Sequence, residues 1–341
     1  MDKKDSLIFV TGGTGFIGSY LLRYLVQDGY RNIRALRREG SRMDLVQDIA
    51  GRIEWVEGDI ADSGSLEDAM EGVKVVFHSA AMVSYAPRDR QLMKRVNVDG
   101  TANLVNASLE LGVDRFIHLS SISVLGGNRR DPRVDEAFKW DRSAITSWYG
   151  ITKFQSEMEV WRGMEEGLPC AVVNPSVVLG SGDWRGSGSS HIFHVVGKGM
   201  PFYPPGQTGF VDVRDVARFA IMLWEKDITG QRYLLNADNW TFRELFTAIS
   251  KTVGEKPPFI PMQRWMGALA WRFEWLRSKM SGSRPVITRE TVSASRNTLE
   301  YLNDKSRSLG FSYIPLSQTV EETARQWLES RGERVAVLPL V

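Results

Sequence analysis

The sequence predicts an α/β fold in which a doubly wound parallel sheet carries a smaller, mostly helical C-terminal lobe. Three observations predict it. Short apolar segments alternate with segments of helical periodicity as far as about residue 175. The first apolar segment leads directly into a glycine-rich turn and then a helix. From Thr241 onward the sequence is mostly helical in character.

The composition is that of an ordinary globular protein. The 341 residues are 43% hydrophobic and 25% charged, and the formal net charge of +2 is too small to indicate a nucleic-acid partner. The single cysteine, Cys170, excludes an internal disulfide, and no signal-like or membrane-spanning segment follows Met1, so we expect a cytoplasmic protein. The four histidines lack the grouping of a metal site, so we expect no bound metal.

Six apolar segments before residue 175 have the length and composition of buried strands. Right-handed crossovers place the carboxyl ends of parallel strands at one edge of the sheet, where ligands bind. The predicted strands are Leu7–Val10, Asn32–Leu36, Ile53–Val56, Val73–Phe77, Phe116–Leu119 and Cys170–Val173. Helical patterns separate them, the two longest at Arg88–Leu111 and Ser147–Glu166.

The turn after the first strand has the glycine spacing of a dinucleotide-binding site. Gly12 allows a positive φ, Gly15 lets a pyrophosphate approach the backbone, and Gly18 lets the helix lie close to the strand. The helix begins at Phe16 and Ile17, so its N-terminal N–H groups face the phosphates. A tight turn without a ligand is the alternative, but the flanking strand and helix favour a cofactor.

We therefore expect a Rossmann domain at residues 1–175. Residues 210–237 are expected to return to this domain and add a strand at Phe210–Val213. Turn-rich segments after residue 175 mark the change of pattern. Residues 176–209 and 238–341 form the expected substrate-binding lobe, which closes over the sheet edge.

A candidate catalytic pair lies on the second long helix. Tyr149 and Lys153 are four residues apart and so share one helix face. A nearby ammonium lowers the pKa of a tyrosine, which permits general acid–base catalysis near neutral pH. Ser121 follows the fifth strand at the ligand edge, where its hydroxyl can bind a carbonyl or alcohol oxygen. Tyr-x-x-x-Lys is common by chance, but its coincidence with Ser121 and the glycine turn favours a hydride-transfer site.

Several segments together resemble the extended short-chain dehydrogenase/reductase family, which includes the NAD-dependent epimerases and dehydratases. The resemblance covers nearly the whole chain, in order. It rests on Thr11–Gly18, His78–Ala81, Asn97–Thr101, Leu119–Val124, Tyr149-x-x-x-Lys153, Asn174–Gly180 and Phe210–Ala217.

The resemblance implies a role for many of these residues. Tyr149 would be the acid or base, Lys153 would lower its pKa and hold the nicotinamide ribose, and Ser121 would orient the substrate oxygen. Asn97 would support the active-site helix, or only make a contact within its own helix. The remaining implied cofactor contacts are Asp59, Ile60, Ala80, Ala81, Asn174 and Pro175.

The residues after the second strand indicate which dinucleotide is bound. An acidic residue there would bind the ribose hydroxyls of NAD, whereas arginine suits the 2′-phosphate of NADP. The chain has Arg37 and Arg38 at this point. We predict NADP(H), with NAD(H) as the alternative if the pair is only a solvated basic patch.

Departures from related subgroups indicate the reaction. Dehydratases that the chain resembles carry an Asp-Glu pair where it has Ile122-Ser123, so dehydration is disfavoured. Many sugar-nucleotide epimerases have Arg-Pro where it has Asn174-Pro175, and Tyr where it has Leu125. The chain looks more like dihydroflavonol reductases and hydroxysteroid dehydrogenases, which implies redox chemistry on a ketone, aldehyde or secondary alcohol of a hydrophobic molecule. A sugar-nucleotide epimerase and a cofactor-sensing regulatory protein are the alternatives.

The C-terminal lobe carries an aromatic and basic segment at Arg264–Arg277, with Trp265, Trp271 and Trp275. Such a segment can lie on a membrane surface, or it can pack as a lid over an apolar substrate. We favour packing as a core or lid helix and expect a small-molecule substrate as the partner. Peripheral contact with a membrane is the alternative for this segment, and a homodimer is a further alternative that the family resemblance implies.

Overall fold

The structure is a computed structural model that describes residues 2–126, 131–137, 147–184, 188–281, 288–330, 332–333 and 335–341. The strands are β1 (Ile8–Thr11), β2 (Ile33–Arg37), β3 (Glu54–Glu57), β4 (Val75–His78), β5 (Arg115–Leu119), β6 (Arg133–Val134), β7 (Cys170–Pro175), β8 (Val177–Leu179), β9 (Phe202–Tyr203), β10 (Gln207–Asp212), β11 (Gln231–Leu235), β12 (Asp238–Thr241), β13 (Ile260–Pro261) and β14 (Glu300–Tyr301). The α-helices are α1 (Phe16–Gln27), α2 (Ser63–Ala69), α3 (Arg90–Lys94), α4 (Gly100–Glu110), α5 (Trp148–Glu165), α6 (His191–Val196), α7 (Val213–Glu225), α8 (Phe242–Val253), α9 (Arg264–Ser281), α10 (Arg289–Ala294), α11 (Asp304–Ser308) and α12 (Leu316–Ser330).

The main sheet has seven parallel strands in the order β11-β7-β5-β4-β1-β2-β3. The chain winds outward in one direction from β1 and in the other from β4, so the direction reverses between these two strands. Alternate residues of β1 point to opposite faces: Ile8 and Val10 pack with α1 and α7, and Phe9 packs with α2, α4 and α5. The predicted doubly wound fold is confirmed, and its ligand crevice is expected at the reversal.

The chain returns to the main sheet at a different strand from the one expected. The strand around Phe210, β10, pairs with β8 and β12 in a separate three-stranded sheet. It is β11 that joins the main sheet, beside β7. The reason is the position of β10 between two cores: Val211 packs into the main core, whereas Phe210 packs into the core of the lobe.

The lobe has its own hydrophobic core, to which α6, α8 and α12 contribute. Its largest members are Trp184, Phe193 and Trp327. The last residues of the chain leave this lobe and return to α1, where the backbone N of Leu338 donates a hydrogen bond to the Tyr20 hydroxyl (2.7 Å). The C-terminal end therefore packs on the main domain rather than within the predicted lobe.

Helix α9 exposes an apolar stripe to solvent. Trp265, Leu269 and Phe273 are 64%, 60% and 71% exposed. On its opposite side α9 packs on α10, so closely that a Cβ on Gly267 would lie 2.6 Å from Cγ1 of Val292. Among the residues that the structure describes, no helix is long and apolar enough to cross a membrane.

Candidate active site

A large cleft runs along the carboxyl ends of the central strands, at the point where the sheet reverses direction. It brings together residues from separate parts of the sequence. Of the predicted site residues, those lining it are Gly12, Gly15, Phe16, Ile17, Gly18, Arg37, Arg38, Asp59, Ile60, Ala80, Ala81, Ser121, Tyr149, Lys153 and Pro175.

The glycine turn is held in a conformation that side chains would prevent. Gly12 has a φ of +71°, and a Cβ there would lie 2.6 Å from the backbone N of Ala80. A Cβ on Gly18 would strike the carbonyl oxygen of Gly12. The backbone N of Gly15 donates to that same carbonyl (2.9 Å), which closes the turn. The start of α1 lines the cleft next to this close-packed glycine turn, as a phosphate site requires.

The two arginines after β2 differ in their surroundings. Arg37 forms an ion pair with Glu57 of the neighbouring strand, with 2.5 Å between Nη2 and Oε1. Arg38 is exposed, and within the described residues its guanidinium has no acidic partner. Its backbone N donates to Oγ of Ser41 (3.1 Å), which also lines the cleft. Arg38 and Ser41 are thus the groups available to an anionic ligand at this end.

The loops that follow β3 and β4 form the floor of the cleft, and each loop is held by a hydrogen bond. The Asp59 carboxylate accepts from the backbone N of Ala61 (2.9 Å). The backbone N of Ala80 donates to Oγ1 of Thr11 (3.3 Å). These contacts fix the loops that carry the predicted cofactor contacts Asp59, Ile60, Ala80 and Ala81.

The three predicted catalytic residues converge at one wall of the cleft. Tyr149 and Lys153 lie on one face of α5, and Ser121 is the second residue after β5. The Ser121 side chain lies beside the Tyr149 phenol, where it favours the phenolate and acts to lower the pKa of Tyr149. Nζ of Lys153 donates to the carbonyl oxygen of Leu119 (2.9 Å), and the Lys153 side chain is buried.

Burial away from water has the largest effect on the pKa values of Tyr149 and Lys153. It raises the pKa of Tyr149 above its ordinary value, while the Ser121 side chain acts in the opposite sense. It lowers the pKa of Lys153 to about 8, against the opposing charge of Glu157. The expected lowering of the Tyr149 pKa by Lys153 is therefore not found in this structure. The phenol is protonated at neutral pH and can act as a proton donor.

Asn174 lies behind the cleft wall rather than on it. Its side chain is fully buried, and Nδ2 donates to the carbonyl oxygen of Ser121 (3.2 Å) and to Oε2 of Glu157 (2.9 Å). Only the following residue, Pro175, reaches the cleft surface. Asn174 thus contacts the backbone of a predicted catalytic residue, and its contact with a cofactor stays a prediction.

Asn97 lies in a π-helical turn, Arg95–Asp99, between α3 and α4. Its Oδ1 accepts from the backbone N of Met82 (2.7 Å), and Nδ2 donates to Oγ1 of Thr152 on α5 (3.1 Å). These bonds favour the interpretation that Asn97 supports the active-site helix. The π turn, which often marks a functional site, was not foreseen because the periodicity predicted one regular helix.

Sequence reasoning missed several groups around the site. Tyr85 lines the cleft, with its ring centroid 6.4 Å from that of Tyr149. His78 lies beneath the floor, where its Nδ1 bonds Oγ1 of Thr11 (2.7 Å); burial lowers its pKa to about 3, so it is neutral. Glu157 is buried one turn after Lys153, and the four-residue spacing is the signal that could have found it.

The far half of the cleft is lined by both polar and apolar side chains. The polar ones include Gln207, Thr208, Glu290, Thr291, Ser293, Ser295, Arg296, Asn297 and Thr298. The apolar residues come from both the main domain and the lobe: Met82, Val83, Tyr85, Leu92, Val178, Ile192 and Phe242. The apolar members of this lining offer contacts to an apolar part of a small molecule.

Comparison with known proteins agrees with this architecture. The model of the NAD dependent epimerase/dehydratase family matches residues 8–235. A putative dihydroflavonol 4-reductase of Synechocystis sp. is 30% identical over 95% of each chain. Sterol demethylase protein B of Methylococcus capsulatus is 33% identical over 95% of this chain and 98% of its own. The crystal structure of gox2253 superposes with a TM-score of 0.82 at 32% identity, covering 97% of this chain and 100% of that one.

The fold and the cleft define an enzyme of the extended short-chain dehydrogenase/reductase type, an oxidoreductase that depends on NAD(P). The chain belongs to the NAD-dependent epimerase/dehydratase family.

Proposed function

We propose that this enzyme reduces a ketone or aldehyde, or oxidises the corresponding secondary alcohol, on a hydrophobic small molecule with NADP(H). The observation that carries the proposal is the adjacent pair of hydroxyl side chains, Ser121 and Tyr149, in the same cleft that the glycine turn lines. A carbonyl group placed there meets two hydroxyl donors at once. The names of two relatives, a putative dihydroflavonol 4-reductase and sterol demethylase protein B, agree with a polycyclic apolar substrate.

In the reductive direction the residues of the chain would act on the carbonyl oxygen. The dinucleotide, when bound, supplies the hydride that reduces the carbonyl carbon. Tyr149 donates its phenolic proton to the oxygen, and its raised pKa keeps that proton available at neutral pH. Ser121 donates a hydrogen bond to the same oxygen and orients it. The Lys153 ammonium favours the phenolate that remains, and proton uptake restores Tyr149.

The residues of the glycine-turn half of the cleft fit a dinucleotide with a 2′-phosphate. The glycine turn and the start of α1 offer backbone N–H groups to the pyrophosphate. Arg38 and the Ser41 hydroxyl supply the donors for the 2′-phosphate, because Glu57 already pairs with Arg37. NADP(H) is therefore our proposal for the preferred cofactor, and NAD(H) is the alternative.

The exposed stripe of α9, which consists of Trp265, Leu269 and Phe273, supports a peripheral contact with an anionic membrane surface. Four basic residues and one acidic residue lie within Arg264–Ser281, so the sequence of this segment carries net positive charge. Helix α9 packs on α10, and α10 contributes to the wall of the cleft. A membrane-bound helix at this place would bring the cleft close to substrates dissolved in lipid.

A panel of carbonyl compounds and alcohols tests the proposed reaction. Sterol-like ketones, flavonoid-like ketones and sugar nucleotides would be incubated with the enzyme, and oxidation of NADPH and NADH, or reduction of their oxidised forms, would be followed. We expect net NADPH oxidation with an apolar polycyclic ketone. Tightly retained NAD with no net cofactor turnover, together with epimerised sugar nucleotide, would support the epimerase instead.

A further inference from the structure

Glu157 is a buried carboxylate at the centre of the wall that carries the predicted catalytic residues. It lies on α5, four residues after Lys153 and on the same helix face, and its side chain is fully buried. Removing a carboxylate from water is costly unless donors compensate the charge. The arrangement around Glu157 supplies those donors from four elements.

Each oxygen of the carboxylate has two partners. Oε2 accepts from Oγ of Ser120 (2.8 Å) and from Nδ2 of Asn174 (2.9 Å). Oε1 accepts from Nε1 of Trp161 (3.2 Å) and pairs with a guanidinium nitrogen of Arg232 (2.9 Å). The partners belong to the end of β5, to β7, to α5 itself and to β11, so one side chain joins three neighbouring strands to the active-site helix.

Two of these bonds lead directly to Ser121. Ser120, which precedes it, is tied to Glu157 through its hydroxyl. Asn174 donates to Glu157 with the same nitrogen that contacts the carbonyl oxygen of Ser121 (3.2 Å). The peptide that carries the Ser121 hydroxyl is thus held from both sides by groups that bind one carboxylate.

We propose that Glu157 is a positioning residue for hydride transfer, which fixes the Ser121 hydroxyl through Ser120 and Asn174 and fixes Tyr149 and Lys153 through α5. The inference rests on the proposed function, because it assumes that these three groups act on the substrate. The negative charge has a second effect, since it is the group that opposes the lowering of the Lys153 pKa by burial.

Glu157→Gln tests the role, because it preserves shape, removes the charge and places a donor where Asn174 and Ser120 donate. We expect kcat to fall about 10- to 100-fold, as for a small displacement of reacting groups, while the KM for NADPH changes less than about 3-fold. The alkaline limb of the kcat profile should move to lower pH. Glu157→Asp keeps the charge and should keep the position of that limb. Glu159→Gln is the matched control, because Glu159 lies on the same helix in a partly exposed ion pair with Arg162. It should change neither kcat nor the pH of the alkaline limb.

A readout without turnover separates this inference from the proposed function. The pH dependence of Lys153 acylation, followed by mass spectrometry, reports its pKa directly, and the midpoint should be lower in Glu157→Gln than in the wild type. If no carbonyl compound is turned over but the midpoint shifts, the proposed reaction fails while the coupling of Glu157 to Lys153 holds. If turnover is found and Glu157→Gln changes neither kcat nor the midpoint, Glu157 has only a structural role.

A second variant covers the case in which Glu157→Gln does not fold. Asn174→Ala keeps the charge of Glu157 and removes the link to Ser121. It should lower kcat without moving the acylation midpoint of Lys153. An unchanged kcat in a folded Asn174→Ala enzyme would contradict the positioning of Ser121 through this link.

Discussion

Arg37 at the end of β2 is paired with Glu57 at the end of β3, because the parallel register places these two residues directly opposite each other. The pair satisfies the charge of Arg37 within the protein. The next residue, Arg38, has no such neighbour in the described residues and lies at the mouth of the cofactor half of the cleft. The cofactor preference that we attribute to two arginines should therefore depend mainly on one.

Arg38→Ala should discriminate between the two dinucleotides. A charge-assisted bond to a phosphate contributes about 1.5–3 kcal/mol, so we expect affinity for NADPH to fall about 10-fold or more and affinity for NADH to change less than about 2-fold. Titration of the protein fluorescence with each dinucleotide measures both constants. Arg37→Ala is the comparison variant and should alter the ratio of the two affinities much less. Equal losses for NADPH and NADH in Arg38→Ala would contradict the NADP preference.

Gly12→Ala should abolish cofactor binding. The substitution forces an L side chain into a positive φ and brings its Cβ within 2.6 Å of the backbone of Ala80. Gly29 is a matched control, because its φ is +82° but a Cβ there meets nothing within 4 Å. Gly29→Ala should cost only about 1–2 kcal/mol of stability and leave NADPH binding unchanged. Similar NADPH affinities in the two variants would show that the turn does not hold the dinucleotide.

The rate of reduction should decrease as pH rises through about 8. Burial lowers the pKa of Lys153 to about 8, so its ammonium is present below this pH and is lost above it. Tyr149, whose pKa is raised, remains a proton donor over the same range. The pH dependence of kcat in the wild type and in Lys153→Met measures the effect. The variant should be slower by about 100-fold and should lack this limb. A limb that persists near pH 8 without Lys153 must belong to another group.

The α9 stripe should bind anionic vesicles. We expect the wild type to co-sediment with phosphatidylglycerol vesicles at low salt and much less with phosphatidylcholine vesicles, since both apolar insertion and basic residues contribute. Replacing Trp265, Leu269 and Phe273 with serine should remove this binding.

Leu328→Ser is the control for the stripe, because Leu328 is also an exposed apolar residue, on α12. It should bind vesicles as the wild type does. Light scattering of the same proteins tests the alternative, in which a second copy of the chain covers the stripe. This alternative predicts that the wild type is a dimer and that the triple serine variant is a monomer.

The parts of this molecule that the sequence predicts well are those determined by neighbouring residues. The glycine turn requires specific backbone conformations within a few residues of β1, so its spacing alone indicates the structure. Helix geometry likewise places Tyr149 and Lys153 on one face. Ser121 is predictable because it follows the end of a strand. These residues converge because all parallel strands end at one edge of the sheet.

The features that sequence reasoning did not give depend on contacts between distant segments. The pairing of Arg37 with Glu57 depends on the register of β2 and β3, and the burial of Glu157 depends on Arg232 from a strand about 75 residues later. The sequence pattern predicts the wrong sheet for the strand around Phe210, because a local pattern cannot tell which of two cores a strand will join. The sequence predicts a lowered pKa for Tyr149, and this prediction is wrong because the burial that raises the pKa cannot be read from the sequence.

Turnover by Tyr149→Phe, with NADPH and an apolar ketone identified from the substrate panel, tests the central claim most directly. The substitution removes one hydroxyl and preserves the ring. The account predicts that kcat falls at least about 100-fold, as for loss of a general acid, while the affinity for NADPH stays within about 3-fold of the wild type. A Tyr149→Phe enzyme that reduces the same ketone at the wild-type rate would contradict it.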